Sequence, residues 1–150
     1  MQRDFVHTQY SKWLRVYIQG DLNDRAGKVV FVTVHDVGGN HRAFSPFVDS
    51  DEMATVRSKS IWIHVVLPGQ DDDEDALPEE YQFPTLDQFA HDLVFVLDKY
   101  ELRTVLGFGE GAGANILTRF GLFYPNRMLG LIMLDCTSAT AGFEEQIKHR

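Results

Sequence analysis

Two stretches of the chain are apolar at nearly every position, and other stretches have the spacing of amphipathic helices. Residues 29–34 and 61–67 are almost all aliphatic or aromatic, which is typical of strands covered on both faces. Residues 86–100 place apolar side chains on one helical stripe, and Thr85 and Gln88 form a capping box before it. Strands that alternate with helices in this way predict βαβ units and a parallel sheet.

The remaining elements extend this pattern. Residues 5–9 and 13–18 predict an antiparallel hairpin at the start of the chain. Ser45 as N-cap and Pro46 at the first helical position predict a helix that reaches residue 57. Residues 104–106 and 129–134 predict two more strands, which flank a helix ended by Pro125. No repeat or linker divides the chain, so we expect residues 1–150 to form a single domain.

The turn before that last helix carries the candidate chemistry. The window Gly109-Glu110-Gly111-Ala112-Gly113 fits the nucleophile elbow of α/β-hydrolases, in which the nucleophile stands on a strained turn between strand and helix. Gly111 occupies the nucleophile position and has no side chain with which to attack a carbonyl. Gly109, Gly111 and Ala114 also match the glycine fingerprint of dinucleotide-binding folds, with Asp135 ending the next strand.

The position of the turn favours the hydrolase hypothesis. A dinucleotide turn usually follows the first strand of its fold, whereas this turn follows an antiparallel pair, the loop His35-Asp36-Val37-Gly38-Gly39 and a strand that ends in Pro-Gly. The α/β-hydrolase order includes a loop of that kind, which contributes to the oxyanion hole. The fold we predict is therefore an α/β-hydrolase-like, mostly parallel sheet with an N-terminal antiparallel hairpin.

Composition excludes several classes of function. The formal charge is −8, which disfavours binding to nucleic acid and to anionic membranes. One cysteine, Cys136, rules out an intrachain disulfide and fits a reducing compartment. The N-terminus has no apolar signal segment, and no apolar run is long enough to span a bilayer. We expect a cytoplasmic protein without a transmembrane segment.

Other polar residues each have a simple structural interpretation. We expect His35 and Asp36 to bind backbone groups of their loop, Glu110 to block or cap the helix start, and Cys136 to behave as a small hydrophobe. Ser138 has no base nearby in the sequence, and His91 lies off its helix stripe and is expected to face solvent. The carboxylates at residues 71–75 lack the spacing of a calcium loop, so a solvated loop is expected.

Several motifs, in order, resemble the N-myc downstream-regulated (NDRG) family. They are His35-Asp-Val-Gly-Gly-Asn40, Pro68-Gly69, the run from Tyr81 to Ala90, and the run from Gly109 to Leu117. The resemblance covers residues 10–143 and implies an α/β-hydrolase fold without hydrolase activity, in cytoplasmic proteins of signalling, stress response and differentiation. Val66, Leu67 and Gly39 depart from the family pattern.

The same resemblance implies parts that we do not find. A hydrolase triad continues after the elbow with an acid and a histidine, and the only histidine after Gly111 is His149. We therefore expect a shortened fold that stops after the strand following the elbow helix, without a cap or C-terminal strands. The strand from Leu129 to Leu134 would then be an apolar edge open to self-association. The expected function is a non-enzymatic interaction protein with no cofactor and no metal; a hydrolase with a displaced nucleophile and a dinucleotide-binding module remain as alternatives.

Overall fold

A computed structural model, which describes residues 1–136, shows six strands and four α-helices. Two single turns of 3-10 helix flank the first α-helix. The strands are β1 (Gln2–His7), β2 (Trp13–Gln19), β3 (Val29–Val34), β4 (Ser60–Val66), β5 (Val105–Glu110) and β6 (Met128–Leu134). The helices are α1 (Ser45–Val48), α2 (Ala54–Ser58), α3 (Leu86–Lys99) and α4 (Ala112–Phe123).

All six strands form one sheet in the order β1-β2-β4-β3-β5-β6. The first two pairs, β1 with β2 and β2 with β4, are antiparallel, whereas β4, β3, β5 and β6 run parallel. The predicted hairpin and parallel sheet are therefore confirmed. Because parallel strands share one direction, the loops after β3, β4 and β5 meet at one edge of the sheet, which is where the candidate site lies.

Both faces of the central strands are covered. One face packs against α3 and α4 in the main core, which includes Leu93, Leu97, Ile116, Leu117 and Phe120. The other face carries an aromatic cluster of Phe31, Phe44, Trp62 and Phe108 under the short helical segments, in which the rings of Phe31 and Trp62 stack at 4.0 Å. This two-sided burial explains why β3 and β4 are apolar without alternation.

The N-terminal hairpin turns earlier than the sequence indicated. Strand β1 ends at His7 rather than at Gln9, and Asp92 of α3, which is fully buried, accepts hydrogen bonds from the backbone N–H groups of Tyr10 (3.0 Å) and Ser11 (2.7 Å). The N–H groups of Tyr10 and Ser11 thus bind a carboxylate of α3 instead of pairing with the other strand of the hairpin. The turn is therefore longer than the predicted Tyr-Ser-Lys connection.

The helix predicted from Ser45 to residue 57 is interrupted. Pro46 lies in its first turn, but Phe44 is the N-cap residue and supplies no side-chain cap. The chain leaves helical geometry at Ser50 and resumes with a 3-10 turn and α2. The side chain of Arg57 donates to the carbonyl oxygens of Val48 (2.6 Å) and Ser50 (2.9 Å), which satisfies acceptors that a continuous helix would have used.

A row of polar side chains crosses the aromatic face beneath α1. The Thr33 hydroxyl and His64 Nδ1 are 2.8 Å apart, and His64 Nε2 is 2.8 Å from Gln19 Oε1. Because the Gln19 oxygen can only accept, His64 Nε2 carries the proton and Nδ1 accepts from Thr33. Gln19 in turn donates to Asp49 Oδ1 and the Ser45 carbonyl oxygen, which ties β2, β3 and β4 to the helical layer.

We predict that His64 makes the fold sensitive to acid. Burial, with a smaller repulsion from His41, lowers the pKa of His64 from 6.5 to about 4. Between those values the unfolded chain binds this proton and the folded chain does not, so stability falls as the pH drops from 6.5 toward 4. The loss at pH 4 is roughly 2 to 3 kcal/mol. Denaturant unfolding across this range measures it.

His64→Gln is the test variant and His7→Gln, at an exposed histidine of β1, is the matched control. Glutamine offers a donor and an acceptor but does not titrate, so the pH dependence of the unfolding free energy should flatten in His64→Gln only. An equally steep dependence in His64→Gln and in the unsubstituted chain would contradict the assignment.

Candidate site at a degenerate nucleophile elbow

The strand β5 passes into helix α4 through a single strained residue, Gly111. Its backbone has φ 56° and ψ −122°, a region in which residues with a side chain are strained. The Gly111 N–H donates to the Leu134 carbonyl oxygen at 2.9 Å, and its own carbonyl oxygen accepts from the Asn115 N–H at 3.1 Å. This sharp turn joins a strand to a helix, as the nucleophile elbow of α/β-hydrolases does.

Two neighbouring glycines bring the helix close to the sheet. A Cβ atom at Gly113 would lie 2.0 Å from the Val34 carbonyl oxygen, and one at Gly109 would lie 2.8 Å from the Ala114 Cα. Neither position leaves room for a side chain. The glycine spacing is therefore explained by the packing of α4 against β3 and β5, without any bound nucleotide.

The space beside Gly111 is filled by the carboxylate of Asp36. A Cβ atom built on Gly111 would lie 2.2 Å from the Asp36 Cγ and within 2.5 Å of both carboxylate oxygens. Asp36 belongs to the loop after β3, and parallel pairing of β3 with β5 brings that loop to the elbow. A serine at position 111 would thus collide with Asp36.

Asp36 also takes up the hydrogen-bond donors of the turn. Its Oδ1 atom accepts from the Ala112 N–H at 3.0 Å and from the Val37 N–H at 2.8 Å. In α/β-hydrolases the oxyanion hole is made by the N–H of the residue after the nucleophile and an N–H from the loop after the equivalent strand. Ala112 and Val37 stand at these two positions, so an internal anion occupies the place where a reaction intermediate would develop its charge.

His35 is engaged in holding two strand ends together. It is buried, and its Nε2 atom accepts from the Leu67 N–H at 3.0 Å. Its Nδ1 atom therefore carries the proton and donates to the Asp36 carbonyl oxygen at 2.7 Å. Both ring nitrogens are occupied by backbone groups, which leaves neither to serve as a general base.

The rest of the loop after β3 is fixed by the segment that follows β4. Gly38, at φ 87°, donates its N–H to Gln70 Oε1 at 3.1 Å. The Asn40 side chain donates to the Gln70 carbonyl oxygen at 3.3 Å and to Asp72 Oδ1 at 3.0 Å. Gly39 lies close to the Asp36 carbonyl oxygen, to which its own N–H donates at 3.0 Å. The loop is thus a rigid support for Asp36.

The acidic segment is the solvated loop that we expected only in part, because Asp72, Asp73 and Asp75 are exposed whereas Asp71 is buried. Asp71 is buried and accepts hydrogen bonds from the Tyr17 hydroxyl at 2.7 Å and from Arg15 at 3.1 Å. Asp73 is exposed and pairs with Arg3 and Arg15, each at 2.7 Å, and hydrogen bonding to these two guanidinium groups lowers the pKa of Asp73. Burial, together with the Asp71 carboxylate, raises the pKa of Tyr17.

The hydrogen bonds and ion pairs of Asp71 and Asp73 could not be predicted from the sequence, because their partners lie more than 50 residues away along the chain. Arg3 belongs to β1, and Arg15 and Tyr17 belong to β2. The antiparallel pairing of β1 with β2 and of β2 with β4 brings them beside the acidic segment that follows β4. His41 stacks on Tyr17 with ring centroids 3.7 Å apart. Within residues 1–136, no three metal-binding side chains converge in a way that could hold a metal ion.

Of the other candidate residues, Glu110, Asp135 and Cys136 follow or end strands at this end of the sheet, whereas His91 contacts the far end of α4. Glu110 ends β5 and gives α4 no side-chain cap; Asp36 holds that place instead. Asp135, at φ 49°, follows β6, and Cys136 is exposed.

His91 is partly buried rather than solvent-facing, because its ring stacks on Phe123 and its Nδ1 is 2.7 Å from the Tyr124 hydroxyl. Ser138 and His149, as well as the end of the NDRG-like region, lie outside the described residues.

The architecture is that of known α/β-hydrolases. The chain is similar to an esterase from Thermogutta terrifontis, with a TM-score of 0.69 and 17% identity over 92% of this chain and 47% of that one. It is also similar to a hydrolase from Pseudomonas aeruginosa, with a TM-score of 0.71 and 17% identity over 91% of this chain and 46% of that one. These likenesses confirm the predicted fold. No helix within residues 1–136 has the length and apolar character needed to cross a membrane.

Sequence comparison gives a closer relationship. An uncharacterized protein of Caenorhabditis elegans is 45% identical over all of this chain and 46% of its own length. Protein NDRG3 of Xenopus laevis is 35% identical over 85% of this chain and 34% of its own length. This chain therefore spans less than half of the length of these relatives. The model of the Ndr family matches residues 4–150, and the chain belongs to the Ndr family, as its motifs predicted.

Proposed function

We propose that the chain is a non-catalytic member of its family that acts by binding other proteins in the cytoplasm, in signalling, stress response or differentiation. The observation that carries the non-catalytic part is the Asp36 carboxylate, which fills the nucleophile space beside Gly111 and accepts from Ala112 and Val37. The hydrolase likeness extends to the fold alone. Because the Asp36 carboxylate fills the position of the nucleophile, we infer that the chain acts by binding rather than by catalysis.

Three features of the site oppose acyl transfer together. Gly111 provides no nucleophile, and His35 has both nitrogens bound to backbone groups. The Asp36 carboxylate already accepts from the Ala112 N–H at the helix start and from the Val37 N–H in the loop after β3. An oxyanion would have to displace that charge at a cost in electrostatic energy. A serine at position 111 would collide with the Asp36 carboxylate, and His35 would still be bound to backbone groups.

The proposals of a cytoplasmic location and of a protein partner are supported by composition and by family membership. The chain has one cysteine and a formal charge of −8, which fit a reducing compartment and oppose binding to nucleic acid. The names of the Xenopus relatives, NDRG3 and NDRG1-A, support membership of the family and specify no partner.

We predict no esterase activity. The chain should hydrolyse p-nitrophenyl acetate no faster than a heat-denatured control, because nucleophile, base and oxyanion hole are each absent or occupied. Gly111→Ser should remain inactive, since the new side chain collides with Asp36 and His35 stays bound to backbone groups. Turnover that is lost in Cys136→Ala or Ser138→Ala would refute the proposal and favour a hydrolase with a displaced nucleophile.

We also predict that NAD and FAD do not bind, although Gly109, Gly111, Ala114 and Asp135 match a dinucleotide fingerprint. A pyrophosphate at the start of α4 would need the Ala112 N–H, which Asp36 already holds at 3.0 Å, and the two negative charges would repel. Calorimetric titration should therefore give no heat of binding. Micromolar affinity that disappears in Asp135→Ala would replace the proposed function with that of a dinucleotide-binding module.

A further inference from the structure

The segment that follows β4 is attached to the rest of the fold by polar contacts. We call residues 70–75, Gln-Asp-Asp-Asp-Glu-Asp, the strap. The strap belongs to no strand or helix, and it has no apolar side chain of its own to bury. Few buried apolar contacts are typical of segments that open locally, so the strap should open at a lower free energy than the strands and helices of the core.

The strap contacts the N-terminal hairpin through two carboxylates. The buried Asp71 carboxylate accepts from the Tyr17 hydroxyl at 2.7 Å and from Arg15 at 3.1 Å. The Asp73 carboxylate pairs with Arg3 and Arg15, each at 2.7 Å. The attachment of the strap to β1 and β2 therefore depends on the charges of these two aspartates.

The strap also contacts the loop after β3, which carries Asp36. Gln70 Oε1 accepts from the Gly38 N–H at 3.1 Å. The Asn40 side chain donates to the Gln70 carbonyl oxygen at 3.3 Å and to Asp72 Oδ1 at 3.0 Å. Two successive glycines, at positions 38 and 39, restrict the backbone of this loop very little. The conformation of the loop therefore depends on its contacts with the strap.

Several buried polar atoms around the strap have no hydrogen-bond partner in the described part of the chain. They are Arg15 Nε, His41 Nδ1 and Glu74 Oε1. Arg15 Nε and Glu74 Oε1 are 4.0 Å apart, and His41 Nδ1 is 3.8 Å from Asp71 Oδ1, so both distances exceed that of a hydrogen bond. Contacts between protein groups thus hold the strap incompletely, which further lowers the cost of opening it.

We propose that the strap is a conformational switch, which opens as a unit while the sheet stays folded and thereby withdraws the Asp36 carboxylate from the elbow. His35 remains bound to the ends of β3 and β4, so the loop moves without its strand. Opening of the strap thus links the N-terminal hairpin to the elbow. The inference goes beyond the proposed function and does not depend on it.

The Ala112 N–H is the group that reports on this motion. Its bond to Asp36 Oδ1 joins residues 76 positions apart and is made only when the loop is in place. The bond of the same oxygen to the Val37 N–H joins neighbours in sequence, so it can persist when the loop moves. Hydrogen exchange at the Ala112 amide therefore measures how often Asp36 leaves the elbow.

Hydrogen exchange of the folded 150-residue chain in low concentrations of denaturant tests the proposal. Exchange at Ala112 should depend only weakly on denaturant, because opening the strap exposes little surface, whereas exchange at Ile63 in β4 should depend on it steeply. Asp71→Asn should speed exchange at Ala112 by at least about tenfold, because it removes a charged hydrogen-bond acceptor. Asp75→Asn, at an exposed carboxylate of the same segment, is the matched control and should leave that rate unchanged.

Two results would overturn the proposal. Equal exchange at Ala112 in Asp71→Asn and in the unsubstituted chain would show that Asp36 leaves the elbow while the strap stays closed. A dependence on denaturant as steep at Ala112 as at Ile63 would show that the strap opens only when the whole chain unfolds.

A second pair of variants keeps the test decisive if Asp71→Asn does not fold. Tyr17→Phe keeps the ring that stacks on His41 and removes one hydrogen bond to Asp71. It should speed exchange at Ala112 by at least about threefold, whereas Tyr10→Phe, in the turn of the same hairpin, should not. Equal rates in Tyr17→Phe and Tyr10→Phe would likewise contradict the link between hairpin and elbow.

Discussion

The contact of the Asp36 carboxylate with Gly111 links the fold to its chemistry. Gly111 can adopt its strained turn because it has no side chain, and the space thereby left open receives a carboxylate from the loop after β3. That carboxylate accepts hydrogen bonds from the N–H groups of Val37 and Ala112. In hydrolases, N–H groups at these positions stabilise a transition state. Here the same groups bind the Asp36 carboxylate.

The supports of this contact extend across the edge of the sheet. His35 joins the ends of β3 and β4 through its two ring nitrogens, and Gln70 and Asn40 hold the loop that carries Asp36. The acidic segment then connects this loop to the hairpin through Asp71, whose carboxylate is buried against Arg15 and Tyr17. Residues far apart in sequence thus form one polar layer above the sheet.

Most of the fold could be predicted from the sequence, because the patterns that indicate its strands, helices and turns involve residues that are close together along the chain. The unbroken apolar runs of β3 and β4, the capping box of Thr85 and Gln88, and the glycine spacing of the elbow each depend on neighbouring residues. The position of Asp36 could not be predicted in this way, since Gly111 lies 75 residues away and only strand pairing joins them. The burial of Asp71 and the interruption at Ser50 likewise depend on Arg15, Tyr17 and Arg57, which act through tertiary contacts.

A double-mutant cycle between Asp36 and Gly111 tests the central claim most directly. Unfolding free energies would be measured for Asp36→Gly, Gly111→Ser and the double variant. Gly111→Ser adds backbone strain and a collision with Asp36, so alone it should cost about 3 kcal/mol or more. In the Asp36→Gly background the collision is gone, and the cost should fall by at least about 1.5 kcal/mol. Equal costs in the two backgrounds would show that the carboxylate does not occupy the elbow.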